Sequence, residues 1–286
     1  MFKTRLLSGI LLVVIALATI IPGGVVLWGL LLFISFIGLG ELLKVFQIKF
    51  GSALSICAFI FSFLYYGLVY FHSMRGEAMQ ICLRSVLGPT LPDFFLLLFM
   101  AYLICIMAIM VFAYPKFKPE QIMAAFFGFF YVVVMLSFIF QIRALPSGVF
   151  SVWLVFICSW GSDTFAYCAG MLLGKHKLAP VLSPKKSIEG AIGGVVGAAL
   201  LGFVYALAIN RWGHMDVNVL SFVIIGAIGG AISQIGDLAA SAIKRFYDIK
   251  DYGRLIPGHG GILDRFDSVI FTAPIIYFLT VLLTHY

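Results

Sequence analysis

Acidic residues in the C-terminal half of the chain have the types and the spacing that chemistry at a membrane requires. Asp163 and Asp237 lie inside long apolar runs, and a carboxylate at membrane depth is costly unless it faces a cation, a polar cavity or a partner. Glu189 opens a third apolar run. Asp264 and Asp267 are three residues apart, which places both on one face of a helix. We therefore predict that these acids contribute to one functional site.

Carboxylate oxygens in such a set suit Mg²⁺. This ion keeps several of its waters, takes one or two protein carboxylates and completes its shell with substrate phosphates. The other interpretation of Asp264 and Asp267 is a network of acids and bases that only holds a loop on a helix. Residue types and spacing leave both interpretations open.

Basic side chains accompany the acids in two loops. Lys185 and Lys186 follow a Ser-Pro pair and precede Ser187. Together with a metal ion, such cations could neutralise a polyphosphate. The alternative is orientation in the membrane or attraction to anionic lipid, worth about 1 kcal/mol per residue near the surface, and we prefer it for the lysines of the N-terminal half. The second loop carries Lys244, Arg245, Lys250 and Arg254.

The segment PGHGG at 257–261 adds a flexible backbone beside these charges. Glycine tolerates positive φ and lets the backbone approach a ligand closely, and amides exposed in this way can form an anion cradle. His259 could donate a hydrogen bond to phosphate or shuttle a proton, although a histidine in a turn more often has a structural role. We assign it a supporting role.

The charged residues lie in a chain that is otherwise strongly apolar. Its 286 residues are 63% hydrophobic and 11% charged, with a mean hydropathy of +1.12, whereas soluble domains have roughly 25% charged residues. A spanning helix needs about 20 mostly apolar residues, because lipid offers the backbone no hydrogen bonds. The sequence therefore predicts an all-α polytopic membrane protein with about nine transmembrane helices. The predicted spans are 6–22, 24–42, 51–71, 94–114, 121–142, 147–170, 189–209, 219–240 and 267–284.

The distribution of basic residues predicts the orientation of these spans. With a cytoplasmic N-terminus, fifteen of the 19 Lys and Arg residues lie inside, as the positive-inside rule requires. Orientation also explains the net charge of +7, so we expect no nucleic-acid partner. We predict an integral protein of the bacterial cytoplasmic (inner) membrane whose site faces the cytoplasm.

The chain divides into two regions by the placement of its chemical residues. Residues 1–146, with about five helices, carry no chemical motif and form a variable N-terminal region. Residues 147–286, with about four helices, carry the acids and the two cytoplasmic loops at 171–188 and 241–266. Because no extramembrane domain is predicted, any catalytic site must be built from helix ends and these loops.

Three motifs in the C-terminal region carry a family resemblance. GSDTFAYCAG occupies 161–170, GKHKLAPVLSPKKSIEGAIGG occupies 174–194, and SQIGDL precedes a charged signature. The signature consists of Ser241, Lys244, Arg245, Lys250, Asp251, His259, Gly260, Gly261, Asp264, Arg265 and Asp267. With these motifs the chain resembles the phosphatidate cytidylyltransferase (CDP-diacylglycerol synthase) family over about 110 residues.

The resemblance implies a nucleotidyltransferase that converts CTP and phosphatidic acid into CDP-diacylglycerol and pyrophosphate. It implies a paired cation centre, Mg²⁺ with a second cation, whose principal ligands are Asp237 and Asp264. The catalytic set that it implies is Asp264, Asp237, Lys244, Arg245, His259 and Asp267. The substrate-binding set that it implies is Ser183, Lys185, Lys186, Ser187, Lys250, Asp163, Glu189 and Arg265.

The resemblance also implies a possible homodimer built through membrane helices. Two other functions compete with the enzymatic one. A CTP-dependent lipid kinase of the polyprenol type would move the γ-phosphoryl group instead of the nucleotidyl group. A transporter predicts a polar path through both leaflets, whereas the acids and bases here cluster on one predicted side.

Overall fold

The computed structural model of the chain describes residues 2–74, 93–213, 215–256 and 260–284, with side chains from residue 9 onward except those of Met74 and Asp93. Within these residues nine helices provide almost all of the regular structure, which confirms the predicted all-α class. The helices are α1 Phe2–Ile20, α2 Gly24–Val45, α3 Ala53–Met74, α4 Asp93–Phe112, α5 Pro119–Ala144, α6 Gly148–Leu173, α7 Ile188–Trp212, α8 Val219–Phe246 and α9 Leu263–Leu283.

Eight of these helices, α2 to α9, are long and apolar enough to cross a membrane. Helix α1 is apolar over Gly9–Ile20, the part of it whose side chains the structure describes. Each predicted span coincides with one helix, and the chain is an integral membrane protein. The cytoplasmic placement of the N-terminus stays a prediction.

Helices on either side of the second charged loop extend further than the apolar pattern indicated. Helix α8 continues to Phe246, so Lys244 and Arg245 lie in its last turn, and α9 begins at Leu263, so Asp264 lies in its first turn. The predicted loop boundaries at 241 and 266 are therefore wrong by several residues. Lysine and arginine are good helix formers, and the helix dipole favours cations at a C-terminus and acids at an N-terminus.

The first charged loop contains a small hairpin that the sequence did not predict. Strands β1, Lys177–Ala179, and β2, Ser183–Ser187, pair in antiparallel register. Because successive strand residues point to opposite faces, Lys185 and Lys186 cannot both face the helices. Lys185 is exposed, whereas Lys186 is only partly so.

The chain forms two compact units. One unit is Leu11–Ala144, and the other is Leu145–Tyr286 together with Met1–Ile10. The core of the first unit is aromatic: the ring of Tyr102 lies 4.7 Å from that of Phe129, which begins a π-helical segment of α5.

In the second unit, small residues let α6, α7 and α8 pack closely, as is common between membrane helices. A Cβ at Gly194 of α7 would lie 2.9 Å from the carbonyl oxygen of Ser162 and 2.8 Å from Nε2 of Gln234. The Gln234 amide donates to Oγ of Ser162 at 3.2 Å and to the Ala191 carbonyl at 3.0 Å. Ser162 directly precedes Asp163, and Gln234 lies one turn before Asp237 on α8. This contact therefore fixes the backbone that carries both acids.

We expect Gly194→Ala to lower the thermal unfolding midpoint and the activity of the detergent-solubilised protein. The added methyl group would force α6, α7 and α8 apart, and overpacking of this kind costs about 1–3 kcal/mol. The control is Gly29→Ala on α2, where an added Cβ meets nothing within 4 Å and alanine favours the helix. Equal midpoints for the two variants would contradict the close packing at Gly194.

Candidate active site

The ion pair between α8 and the hairpin is the central contact of the candidate site. Lys186 of β2 pairs with Asp237, and each side chain is about a quarter exposed, 26% and 28%. The Lys186 ammonium itself is buried, and within the described part of the chain it makes no hydrogen bond beyond this ion pair. The structure thus brings together one predicted substrate-binding cation and one predicted metal ligand.

Three carboxylates from three helices lie within electrostatic range of one another around this pair. Asp163 of α6 interacts with Asp237, Lys186 and Arg265. Asp267 of α9 interacts with Asp237 and Asp163, and also with Lys244 of α8. Asp163 is exposed, and Asp237 and Asp267 are partly exposed. Because like charges at close range repel, such an arrangement favours a bound cation.

Asp264 occupies a different environment from the other three aspartates. Its side chain is 2% exposed, and its Oδ1 accepts a hydrogen bond from Nζ of Lys244 at 3.0 Å. Its Oδ2 accepts from the backbone N–H of Tyr252 at 2.8 Å and of Gly261 at 3.0 Å. Asp264 therefore ties the end of α8 and the following loop to the start of α9. This is the geometry that the loop-anchoring interpretation of the acids predicts.

The loop held by Asp264 also depends on Gly260 and Tyr252. Gly260 has a φ of +87°, and a Cβ there would lie 2.9 Å from Oδ2 of Asp264, so only glycine fits. The hydroxyl of Tyr252 donates to the Ala240 carbonyl at 3.0 Å. Lys244 lies 5.5 Å from the centre of the Tyr252 ring. These residues of the signature thus surround the buried carboxylate of Asp264.

Glu189 holds the hairpin at the start of α7. Its carboxylate accepts hydrogen bonds from the backbone N–H groups of Lys175 and His176, and it contacts Nδ1 of His176 at 2.6 Å. Ser187 caps the same helix, because its hydroxyl accepts from the backbone N–H of Gly190 at 3.1 Å. Both residues therefore position the strand that carries Lys186. Sequence reasoning gave His176 no role, although it lies inside the motif that carried the resemblance.

The remaining predicted residues lie around these contacts. Arg245 and Lys250 are exposed at the end of α8 and in the loop that follows, and Arg265 is exposed on α9. Ser183 and Lys185 lie on β2, where Ser183 is partly exposed and Lys185 is exposed. His259 lies outside the described residues.

The donor set of the site is compatible with Mg²⁺. Among the residues that the structure describes, no three His, Cys, Asp or Glu side chains are arranged to hold one metal ion. Magnesium needs only one or two protein carboxylates, since waters and substrate phosphates complete its shell. Asp237, which is partly exposed and faces other carboxylates, fits such a site. Asp264 fits it less well, because both of its oxygens already accept hydrogen bonds.

Within the described residues, eight helices long and apolar enough to span a membrane, with a cluster of acids and bases on α6, β2, α8 and α9, define an integral membrane protein with a candidate site for charged ligands. The chain belongs to the cytidylyltransferase family, whose sequence profile matches residues 3–283.

Three staphylococcal relatives, each named phosphatidate cytidylyltransferase, are similar to the chain over almost its whole length. The protein of Staphylococcus epidermidis is 33% identical over 283 residues. Those of Staphylococcus saprophyticus and Staphylococcus aureus are 31% identical over 279 residues. Each alignment covers 98% of this chain and 99% of the relative. The similarity thus extends beyond the C-terminal motifs into the first 146 residues, which the motifs had left uncovered.

Proposed function

We propose that the chain transfers CMP from CTP to phosphatidic acid, giving CDP-diacylglycerol and pyrophosphate for phospholipid biosynthesis. The observation that carries this proposal is the group of accessible carboxylates around the Asp237–Lys186 pair, in a chain whose near full-length relatives are named for this activity. A diacyl lipid can stay in the membrane while its phosphate reaches these carboxylates. CTP can reach the same group from the aqueous side.

The reaction requires little covalent participation from the protein. A phosphate oxygen of the lipid forms a bond to the α-phosphorus of CTP, and the bond from that phosphorus to the bridging oxygen breaks, with pyrophosphate leaving with the electron pair. Such a displacement needs in-line positioning and neutralisation of the charge on the leaving group. Bound Mg²⁺ supplies part of that neutralisation.

We assign the chain's own residues to this chemistry as follows. Asp237 would hold Mg²⁺, with Asp264 as the other proposed ligand and Asp163 and Asp267 completing or orienting the cation centre. Lys186 would neutralise the triphosphate or the lipid phosphate. The other proposed phosphate-binding residues are Ser183, Lys185, Ser187, Lys250 and Arg265, with Lys244, Arg245 and His259 in the catalytic set and Glu189 in the supporting set.

Three further features belong to the same proposal. The site faces the cytoplasm, so that it meets CTP, and the N-terminus lies on that side of the inner membrane. Residues 147–286 carry catalysis, while residues 1–146 form a variable transmembrane region. The protein acts on a nucleotide and a lipid without a nucleic-acid partner, and a second copy of the chain completes a homodimer.

An assay of the products tests the proposed function. The purified protein is given CTP labelled at the α-phosphate, Mg²⁺ and phosphatidic acid in mixed micelles, and lipid-soluble label and released pyrophosphate are measured. We expect one pyrophosphate for each labelled CDP-lipid. Release of CDP with a label-free phosphorylated lipid, when a polyprenol replaces phosphatidic acid, would support the lipid kinase instead.

The Lys186→Met variant tests whether the Lys186 ammonium binds a substrate phosphate beside the carboxylates. We expect Lys186→Met to raise the KM for CTP or for phosphatidic acid about tenfold, because a hydrogen bond to a charged group contributes about 1.5–3 kcal/mol. Methionine keeps the length of the side chain, so the thermal midpoint should change little. We also expect half-saturation at a lower Mg²⁺ concentration, since the ammonium no longer competes for Asp237.

The control for this variant is Lys177→Met, which removes an exposed cation from the other strand of the hairpin. It should leave both KM values within about twofold of wild type, as surface substitutions usually do. If Lys186→Met also left both KM values unchanged, Lys186 would serve only to orient the protein in the membrane.

A further inference from the structure

We propose that the unit Leu11–Ala144 binds an anionic phospholipid in a groove where α2 meets α3. The groove has a volume of about 610 Å³ and is formed by the end of α2, the turn that follows and the start of α3. Its walls are mainly apolar and include Leu43, Ile48 and Phe59, while Lys44 and Lys49 also line it. This site lies outside the proposed catalytic residues and does not depend on the proposed function.

The shape of the groove is set by hydrogen bonds of the protein itself. Nε2 of Gln121 donates to the carbonyl of Gln47 at 3.0 Å, and Oγ of Ser55 donates to the carbonyl of Lys49 at 3.1 Å. Gln47 has a φ of 58° and Gly51 a φ of 80°, so the turn between the helices uses two left-handed residues. The backbone that carries the lysines is thus held in place before a ligand arrives, which lowers the entropic cost of binding.

The location of the groove points to a lipid. It lies at the joined ends of two helices that are long and apolar enough to span a membrane. Lysines at helix ends extend their aliphatic stems along apolar surface and hold the ammonium at the level of the headgroups. Phe50, in the same turn, is 87% exposed and its ring lies 5.7 Å from that of Phe59. An acyl chain can therefore fill the apolar groove while a phosphate reaches the lysines.

The charge of the groove selects the type of headgroup. Lys44 and Lys49 are both exposed cations, and Glu41 lines the same groove. The resulting net charge of about +1 suits a single phosphodiester better than a polyphosphate, because like charges disfavour a second anion. A zwitterionic headgroup brings its own cation toward the lysines. The occupant is therefore a phospholipid with a net negative headgroup, such as phosphatidylglycerol.

Native mass spectrometry of the full-length protein tests this proposal. The protein is released from detergent micelles that contain either phosphatidylglycerol or phosphatidylcholine, and the retained lipids are counted. We expect about tenfold greater retention of phosphatidylglycerol, since each lysine near a membrane surface attracts anionic lipid. The double variant Lys44→Gln/Lys49→Gln should retain both lipids equally.

A second variant tests the apolar groove separately from the two lysines. Gly40 lines the groove, and a Cβ there would make only ordinary contact, 3.7 Å from the Phe59 ring. Gly40→Leu should therefore preserve the helix and both lysines but fill the groove, and we expect it to lose phosphatidylglycerol as well. Retention as in wild type by either variant would overturn the proposal.

The matched control is Lys116→Gln/Lys118→Gln, which removes two lysines from the connection between α4 and α5. This variant should keep the preference for phosphatidylglycerol. An equal loss of that preference here would show that the attraction comes from total charge, which would also overturn the site. Asp237→Asn, which alters only the proposed active site, should also keep the preference for phosphatidylglycerol. The lipid-binding result can therefore be read even if the proposed enzymatic function fails.

Discussion

Asp237→Asn is expected to reduce turnover at least about 1,000-fold while leaving membrane insertion and thermal stability close to those of wild type. The asparagine has the same shape but lacks the negative charge that would hold a divalent cation among the three accessible carboxylates. Loss of cation-assisted charge stabilisation is worth several kcal/mol, and each 1.36 kcal/mol is tenfold in rate. The measurement is the rate of CDP-lipid formation at saturating CTP and Mg²⁺.

Stability should survive this substitution because the side chains of Asp237 and Lys186 are each about a quarter exposed, so the long lysine side chain can turn its buried ammonium to water once the pair is lost. Pairs with access to water contribute little to folding. The control is Asp248→Asn, which removes a charge just beyond α8 at a residue with a φ of 51°, a conformation that asparagine tolerates. Asp248→Asn should retain near-normal rates. Similar rates in the two variants would refute the assignment of Asp237 as a metal ligand.

Asp264→Asn is expected to abolish turnover and, unlike Asp237→Asn, to destabilise the folded protein. Its carboxylate is paired with Lys244 in a site where the side chains are 2% and 14% exposed. Breaking a buried pair by removing one partner costs about 3–5 kcal/mol, because the other charge stays buried and uncompensated. The amide would also turn a donor toward backbone N–H groups or toward Lys244. The protein should still insert into the membrane, because its apolar helices are unchanged.

The unfolding midpoint in the presence of a chelator distinguishes the two roles of Asp264. A residue that acted only as a metal ligand would not affect stability when no divalent cation is available. We expect the midpoint of Asp264→Asn to be lower than that of wild type with chelator and with Mg²⁺ alike. Asp267→Asn, which alters a partly exposed carboxylate of the same helix, serves as the control and should keep its midpoint. An unchanged midpoint for Asp264→Asn would contradict its anchoring role.

Both proposed metal ligands have a lysine as a partner in this structure, Lys186 for Asp237 and Lys244 for Asp264. A divalent cation that approaches either carboxylate therefore competes with an ammonium group. The competition is unequal, because Asp264 is also held by two backbone N–H groups. From this geometry we expect Asp237 to bind a cation more readily than Asp264.

The sequence alone determined the membrane character, the helices and the neighbourhood of the site. Long apolar runs leave the backbone no alternative to helices in lipid, and eight of the nine predicted spans correspond to helices long and apolar enough to cross a membrane. The motifs identified the family, and they assigned chemistry to α6, α8, the start of α7 and the start of α9. The ends of α8 and α9 were misplaced because apolar composition marks the lipid-embedded part of a helix and not the turns that extend into water.

Only the tertiary structure decided what each acid contacts. Their spacing did not distinguish Asp264 from Asp267. In the structure Asp264 is buried against the backbone amides of Tyr252 and Gly261, whereas Asp267 is partly exposed. The pairing of Lys186 with Asp237 depends on a hairpin too short and too polar to leave an apolar pattern. Local sequence sets which segments form helices, but the partners of a charged side chain come from distant segments. Those partners are fixed only when the helices pack.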